Sequence, residues 1–218
     1  MKHIVSGWIL FALAALLVTG PLRADRTFAQ EGGKKTAPMN PHAIVETSMG
    51  TFEIELYPAD APKTVENFVK LAEKKYFDGM RVHRVAKGFV IQTGDDKSKD
   101  PAKVNEWGTG GTSIWGKKFA DELNPNTPSY KAGYKKGVVA MANSGPNTNT
   151  SQFFVMLNDM DRMPKNYTIF GKVVKGMDVV EKIGQVDIIP GFGPTDGRPK
   201  VDVLLKKVTI KTHAATAE

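Results

Sequence analysis

Apolar and polar residues alternate along Thr51-Phe52-Glu53-Ile54-Glu55-Leu56, and Ile44-Val45-Glu46 precedes them across Ser48-Met49-Gly50. Successive side chains of a strand point to opposite faces, so this pattern predicts a β-hairpin with one buried side. The period then changes. Asp60-Ala61-Pro62 supplies an acidic cap and a first-turn proline, and Val65, Phe68, Val69 and Ala72 share one face of the helix that follows. Beyond an Asp78-Gly79 turn, strand-like runs recur at Arg81–Val85, Phe89–Thr93, Val138–Ala142, Gln152–Leu157, Thr168–Val174 and Val201–Ile210. A second helix fits Met177–Ile183, with Val179, Val180 and Ile183 on one side. About eight strands and two helices in one domain predict a mainly β fold, a closed eight-stranded antiparallel barrel capped by two α-helices. Periodicity alone does not separate a barrel from a sandwich.

Residues 42–212 contain no internal repeat and no second linker, which makes them one domain. Within it, residues 94–134 are rich in Gly, Asn, Pro, Lys and Asp, a length that reads as a functional or packed excursion. Ahead of the domain, Lys2 and His3 precede ten consecutive apolar residues, Ile9 to Val18, before Gly20-Pro21 breaks the run. Thr27-Phe28-Ala29 then offers small residues at the two positions a signal peptidase reads. A basic start, an apolar middle and a small-residue exit form a secretory signal pattern, and the run falls short of the ~20 residues of a membrane span. An uncleaved anchor reaching back to Ile4 is the other reading. Residues 1–29 are therefore assigned as signal peptide or anchor, 30–41 as a flexible linker and 213–218 as a disordered tail. Export to a periplasmic or extracellular location follows, with membrane attachment only if the segment stays uncleaved.

Composition removes several chemistries. The chain has no cysteine, which excludes disulfides, thiol catalysis, cysteine-ligated zinc and a lipoprotein anchor. Its net charge of +7 comes from dispersed lysines such as Lys74-Lys75 and Lys135-Lys136, with no long basic run and no basic stripe interleaved with aromatics. That distribution describes a solvated surface and not a nucleic-acid site. Nothing resembling a coiled coil is present, so a monomer is the default.

Of the residues that could carry chemistry, His83 has no partner at metal-ligand spacing and reads as a satisfied structural histidine. Gly108-Thr109-Gly110-Gly111 lacks the Gly-Lys-Ser/Thr ending of a phosphate loop. Asp95-Asp96 reads as a pair that solvates its loop. Neither a G-x-S-x-G elbow nor an H-E-x-x-H motif occurs. The residues alone give hydrolytic and metal chemistry little support, and no cofactor or metal is expected.

Four clusters in order, VHRVAKGFVIQTGD (Val82–Asp95), GTGGTSIWGKKFADE (Gly108–Glu122), MANSGPNTNTSQFF (Met141–Phe154) and NYTIFGKVVKGMDVVEKI (Asn166–Ile183), resemble the cyclophilin family of peptidyl-prolyl cis-trans isomerases, in an exported bacterial form. The resemblance runs from about Ile44 to Ile210. It implies a cyclophilin-like barrel, an enzyme that needs no cofactor, and proline-containing unfolded or flexible polypeptides as substrates, whose folding it would assist. A proline-peptide binding module or holdase on the same fold is the alternative. Arg84 matches the family's catalytic arginine and Gln92 the glutamine that holds it. Phe89, Phe154 and Met163 match the apolar pocket for the proline ring, and Val90 stands where many relatives have Met. Alternation assigns Phe153 to the core and Phe154 to the pocket. Ala142 and Asn143 match the strand edge that pairs with substrate backbone, with Gln152 beside it; the resemblance places Arg84, Phe89, Gln92, Asn143 and Phe154 in catalysis and Val90, Ala142, Gln152, Met163 and Tyr167 in substrate binding.

There are departures from the family pattern. Arg162 takes the place of a tryptophan associated with tight cyclosporin binding, so weak cyclosporin binding is expected. Tyr167 takes the place of a common histidine. Residues Asp95–Gly108 form a longer stretch than in short members and read as a solvated loop.

Overall fold

The computed structural model describes residues 39–212. The signal-like segment 1–29, most of the linker 30–41 and the tail 213–218 lie outside these residues. Among the described residues the strands are β1 His42–Thr47, β2 Gly50–Leu56, β3 Arg84–Ala86, β4 Val90–Thr93, β5 Val138–Met141, β6 Phe153–Met156, β7 Ile169–Lys175, β8 Ile188–Gly193, β9 Asp196–Pro199 and β10 Leu205–Lys211. Three α-helices accompany them: α1 Pro62–Glu73, α2 Pro128–Ala132 and α3 Met177–Gly184. All ten strands form one sheet in the order β10-β1-β2-β7-β5-β6-β4-β3-β9-β8. No helix among the described residues is long and apolar enough to cross a membrane.

The sheet corrects the expected closed eight-stranded barrel. Each predicted strand is present with shifted ends, β1 and β2 longer and β3 to β6 shorter than expected, and β8 and β9 are added between α3 and β10. β9 pairs with β3, Val85 opposite Gly197 and Ala86 opposite Asp196, and so takes the edge that β10 would need to complete a ring. β10 and the residues before β3 meet at an isolated bridge, Arg81 opposite Leu204, and at Gly79 N, which donates to Leu205 O at 2.8 Å. There Val82 N donates to Val203 O at 2.9 Å and Leu205 N to Met80 O at 2.7 Å. The sheet is stitched at that point without closing into a barrel.

Packing follows the predicted alternation. Val85, Ile91, Val155 and Val139 stand opposite one another across β3, β4, β6 and β5, and all are buried in one core. α1 lays Phe68 into that core, its ring 5.0 Å from Phe77, 5.5 Å from Phe153 and 5.4 Å from Phe170. Gly171 lets β7 approach β2, because a Cβ there would meet Glu55 O at 2.6 Å. The start of α1 differs from expectation: Ala61 is its N-cap and makes no side-chain cap bond. Glu122, from a distant loop, instead accepts from Lys63 N at 3.0 Å and Thr64 N at 2.9 Å, satisfying N–H groups that a helix start leaves open. Asp60 turns away and accepts from Ser129 N.

Residues 95–108 are also more ordered than a solvated loop. They fold into two 3₁₀ segments, Asp96–Lys99 and Pro101–Glu106. Asp95 is fully buried and accepts from Lys97 N at 2.8 Å, from Gly110 N at 3.2 Å and from Gly108 N. A buried carboxylate needs several donors to offset its lost hydration, and these are the donors. The expectation that Asp95 merely solvates its loop is thus overturned.

Candidate active site

The register that buries Val85, Ile91 and Val155 turns their neighbours to the other face. Arg84 stands opposite Gln92, Gln92 opposite Phe154, and Phe154 opposite Ala140, one row across β3, β4, β6 and β5. Directly opposed residues share a face and lie about 5 Å apart, so the fold alone gathers Arg84, Gln92 and Phe154 from three strands. Phe153 points into the main core and Phe154 into a separate apolar layer, the partition expected of the pair.

A directed chain of hydrogen bonds crosses this face. Arg84 Nη1 donates to Gln92 Oε1 at 3.1 Å, and Gln92 Nε2 donates to Gln152 Oε1 at 3.0 Å. Gln152 Nε2 then donates to Gly108 O at 3.0 Å and Gly110 O at 2.8 Å. Guanidinium only donates, so Gln92 must present its oxygen to Arg84 and its nitrogen to Gln152; the same logic fixes Gln152. The chain ends on the glycine loop, where a Cβ at Gly110 would lie 2.2 Å from Asp95 Oδ1. Gln92, Gly110, Ala142, Asn143 and Gln152 line a cleft of about 350 Å³. A cleft of about 400 Å³, bordered by Tyr57, Asp60, Val138 and Ile169, lies among other residues and holds none of the nominated ones.

The apolar layer beside the row is built from Ala86, Val90, Phe154 and Met156, with Phe89, Ala142, Met163 and Tyr167 packed against it and partly exposed. The Tyr167 ring meets Phe154 edge-on, centroids 5.5 Å apart. Tyr167 is fixed from behind, since Tyr134 Oη donates to Tyr167 O and accepts from Tyr167 N, both at 2.9 Å. Burial pushes the Tyr134 phenol up to about 12, so it keeps its proton and this double role at neutral pH. All ten nominated residues therefore border one face.

Ala142 and Asn143 occupy the expected edge, with a restriction. Ala142 N already donates to Gln152 O at 2.9 Å, which leaves its carbonyl as what it can offer a ligand. The Asn143 side chain donates to Asn166 O and accepts from Gly145 N, so it ties together two loops at the rim.

His83 is buried but is not the satisfied residue expected. Neither ring nitrogen has a hydrogen-bond partner among the described residues, and the neighbouring Gln152 amide is committed to Gly108, Gly110 and Gln92. Burial drives its pKa down to about 4, with Arg84 adding to the shift and Asp95 opposing it.

Asp196 and Phe192 are the neighbours that the sequence did not nominate. Asp196 Oδ1 accepts from Arg84 Nε at 2.8 Å and Asp196 Oδ2 from Arg84 Nη2 at 2.7 Å, a two-pronged ion pair. The Phe192 ring centroid lies 5.5 Å from Arg84 Cζ. Both residues belong to the β8–β9 hairpin, 112 positions along the chain in the case of Asp196.

Comparison with known proteins extends over the same region. Residues 42–210 match the family described as cyclophilin type peptidyl-prolyl cis-trans isomerase/CLD. A peptidyl-prolyl cis-trans isomerase-like 1 from Neurospora crassa is 44% identical over 168 residues, covering 76% of this chain and 91% of the relative. One of the same description from Mus musculus is 42% identical over 156 residues, covering 72% and 87%. A crystal structure of a Cryptosporidium parvum cyclophilin type peptidyl-prolyl cis-trans isomerase superimposes with a TM-score of 0.68 at 28% identity, covering 80% of this chain and 99% of that one. The same protein solved in the presence of the dipeptide Ala-Pro gives 0.67. These relatives come from a fungus, an animal and a protist, so the likeness speaks for the family and not for a bacterial form.

Proposed function

Because the chain belongs to the cyclophilin-type peptidyl-prolyl cis-trans isomerase family and is an enzyme of that class, we propose that Arg84 is the group that accelerates rotation about the X-Pro bond. Rotation must break amide resonance, with a barrier near ~20 kcal/mol and relaxation over tens of seconds. Reaching milliseconds takes roughly 10⁴-fold, or about 5–6 kcal/mol of transition-state stabilisation. As the amide twists, the prolyl nitrogen regains a basic lone pair. A donor that meets that lone pair binds the twisted state better than either planar one, and the gain is catalytic.

One observation carries the reading: the Arg84–Gln92–Phe154 row. Of the five guanidinium N–H groups, three are used by Asp196 and Gln92. One N–H on Nη1 and one on Nη2 remain for a substrate, beside the apolar layer around the buried Phe154, where the partly exposed Phe89, Ala142, Met163 and Tyr167 are fit for a proline ring. The Ala-Pro dipeptide used with the Cryptosporidium protein agrees with such a ligand. Roles in substrate contact for Phe89, Val90, Ala142, Gln152, Met163 and Tyr167 rest on their place around this row and on the family resemblance.

The test is a protease-coupled isomerisation assay on an Ala-Pro peptide. Wild type should accelerate the slow phase, and both Arg84→Ala and Arg84→Lys should lose most of it, because a lysine point charge cannot be held by Gln92 and Asp196 together. Full activity in Arg84→Ala overturns the assignment. The substrates we propose are exported polypeptides, a reading that rests on the N-terminal pattern alone. N-terminal sequencing of the protein from the extracytoplasmic fraction checks it: a start after Ala29 supports export by cleavage, and recovery only from the cytosol refutes export.

A further inference from the structure

The β8–β9 hairpin is built in a way its own sequence does not require. β8 is mostly exposed, and the hairpin is docked through β9, where Lys87 N donates to Thr195 O at 2.8 Å and Gly197 stands opposite Val85. Gly197 admits the close pairing of the hairpin's own two strands: a Cβ there would lie 2.1 Å from Ile189 O. The pairing of Ala86 with Asp196 brings the Asp196 carboxylate alongside the Arg84 guanidinium. A register irregularity between Pro190 and Gly193 throws Phe192 outward beside the same group, with 82% of its surface exposed.

We propose that the hairpin is part of the substrate site: Asp196 is a positioning residue for Arg84, and Phe192 is a specificity-determining surface for a residue that flanks the substrate proline. The proposal rests on Arg84 being the catalytic donor. An arginine side chain has four torsions, and Gln92 restrains only Nη1. Asp196 takes Nε and Nη2 in a planar fork, so the two anchors together fix the plane of the guanidinium and aim its remaining N–H groups before substrate arrives. The opposite expectation, a carboxylate that competes with substrate for Arg84, predicts activation when Asp196 is removed. The geometry favours positioning, because the pair uses one edge of the guanidinium and leaves donors on both Nη atoms.

The experiment measures kcat and KM by NMR line-shape on Ala-Pro peptides for wild type, Asp196→Ala, Asp196→Asn, Arg84→Ala and the Arg84→Ala/Asp196→Ala double variant. Asp196→Ala should lower kcat about tenfold with little change in KM, and Asp196→Asn, which keeps an acceptor oxygen, should lose less. In the Arg84→Ala background, Asp196→Ala should add nothing, since its effect passes through the arginine. A merely structural role would instead lower Tm without this split and would persist in the double variant. Asp196→Ala and Asp196→Asn that both retain or raise kcat, with Arg84→Ala inactive, overturn the proposal alone. An active Arg84→Ala refutes the catalytic reading first, and this one with it. For Phe192, Phe192→Ala should raise KM several-fold for peptides with an aromatic residue beside the proline and leave peptides with aspartate there unchanged; equal KM changes for both refute the specificity role.

Discussion

Acid should destabilise this protein through His83 well before its carboxylates protonate. In the unfolded chain a histidine takes up its proton near pH 6.5, whereas in the fold burial holds His83 neutral down to about 4. Between those values the unfolded state binds more protons, so stability rises with pH across the window. The contribution is fully present above about 6.5 and is lost as pH falls towards 4. From the two values, the loss between pH 7 and pH 4.5 is on the order of 2 kcal/mol, a large share of a typical domain's ~5–15 kcal/mol. Glu53, Glu106 and Asp159 are held below their ordinary values by His42 with Lys175, by Lys97, and by the Lys136 backbone with Lys135, so their share is lost below about 4.5. Urea unfolding at half-unit steps from pH 7 to 4.5 measures the effect. Wild type should show a falling Cm at constant m, with a limiting slope of one proton, about 1.4 kcal/mol per pH unit. His83→Leu keeps the burial, removes two ring nitrogens without partners, and should flatten that slope. Parallel loss in wild type and His83→Leu would refute the account.

Two further outcomes follow from the site. Phe153→Leu should cost stability while activity per folded molecule stays near wild type, and Phe154→Leu should lower kcat/KM at least about tenfold, ~1.4 kcal/mol, with a smaller change in Cm. Urea unfolding and the coupled assay on both variants decide, and reversed phenotypes would reject the assignment of faces. Cyclosporin should inhibit wild type weakly, and Arg162→Trp should tighten its Ki at least about tenfold; an unchanged Ki removes the role given to Arg162.

Much of the arrangement was legible because it depends on period and register. The alternation through Thr51–Leu56 and the one-sided Val179, Val180 and Ile183 announced β2 and α3. Arg84 and Gln92 lie eight positions apart across a short turn, close enough for sequence to put them on one face. The β8–β9 hairpin was not legible, because Ile188-Ile189-Pro190-Gly191-Phe192-Gly193 carries Pro and Gly where alternation would be read. Its pairing depends on the exposed edge of β3, which only the assembled sheet supplies. Asp196 was hidden for the same reason, and so was the failure of the sheet to close. Asp95 was misread because adjacent acidic residues look like solvated surface. Only the folded glycine loop brings the N–H groups of Gly108 and Gly110 to it.

The outer position of β8 has a consequence for a protein whose substrates are proline-containing polypeptides. An extended polypeptide can add itself as a further strand to an open sheet margin. Here the marginal strand carries Pro190, which has no N–H to donate, and a register break two residues on. A visiting chain would find the ladder interrupted after a residue or two. At this margin, as distinct from β10 at the other end of the sheet, an added strand is denied a continuous ladder.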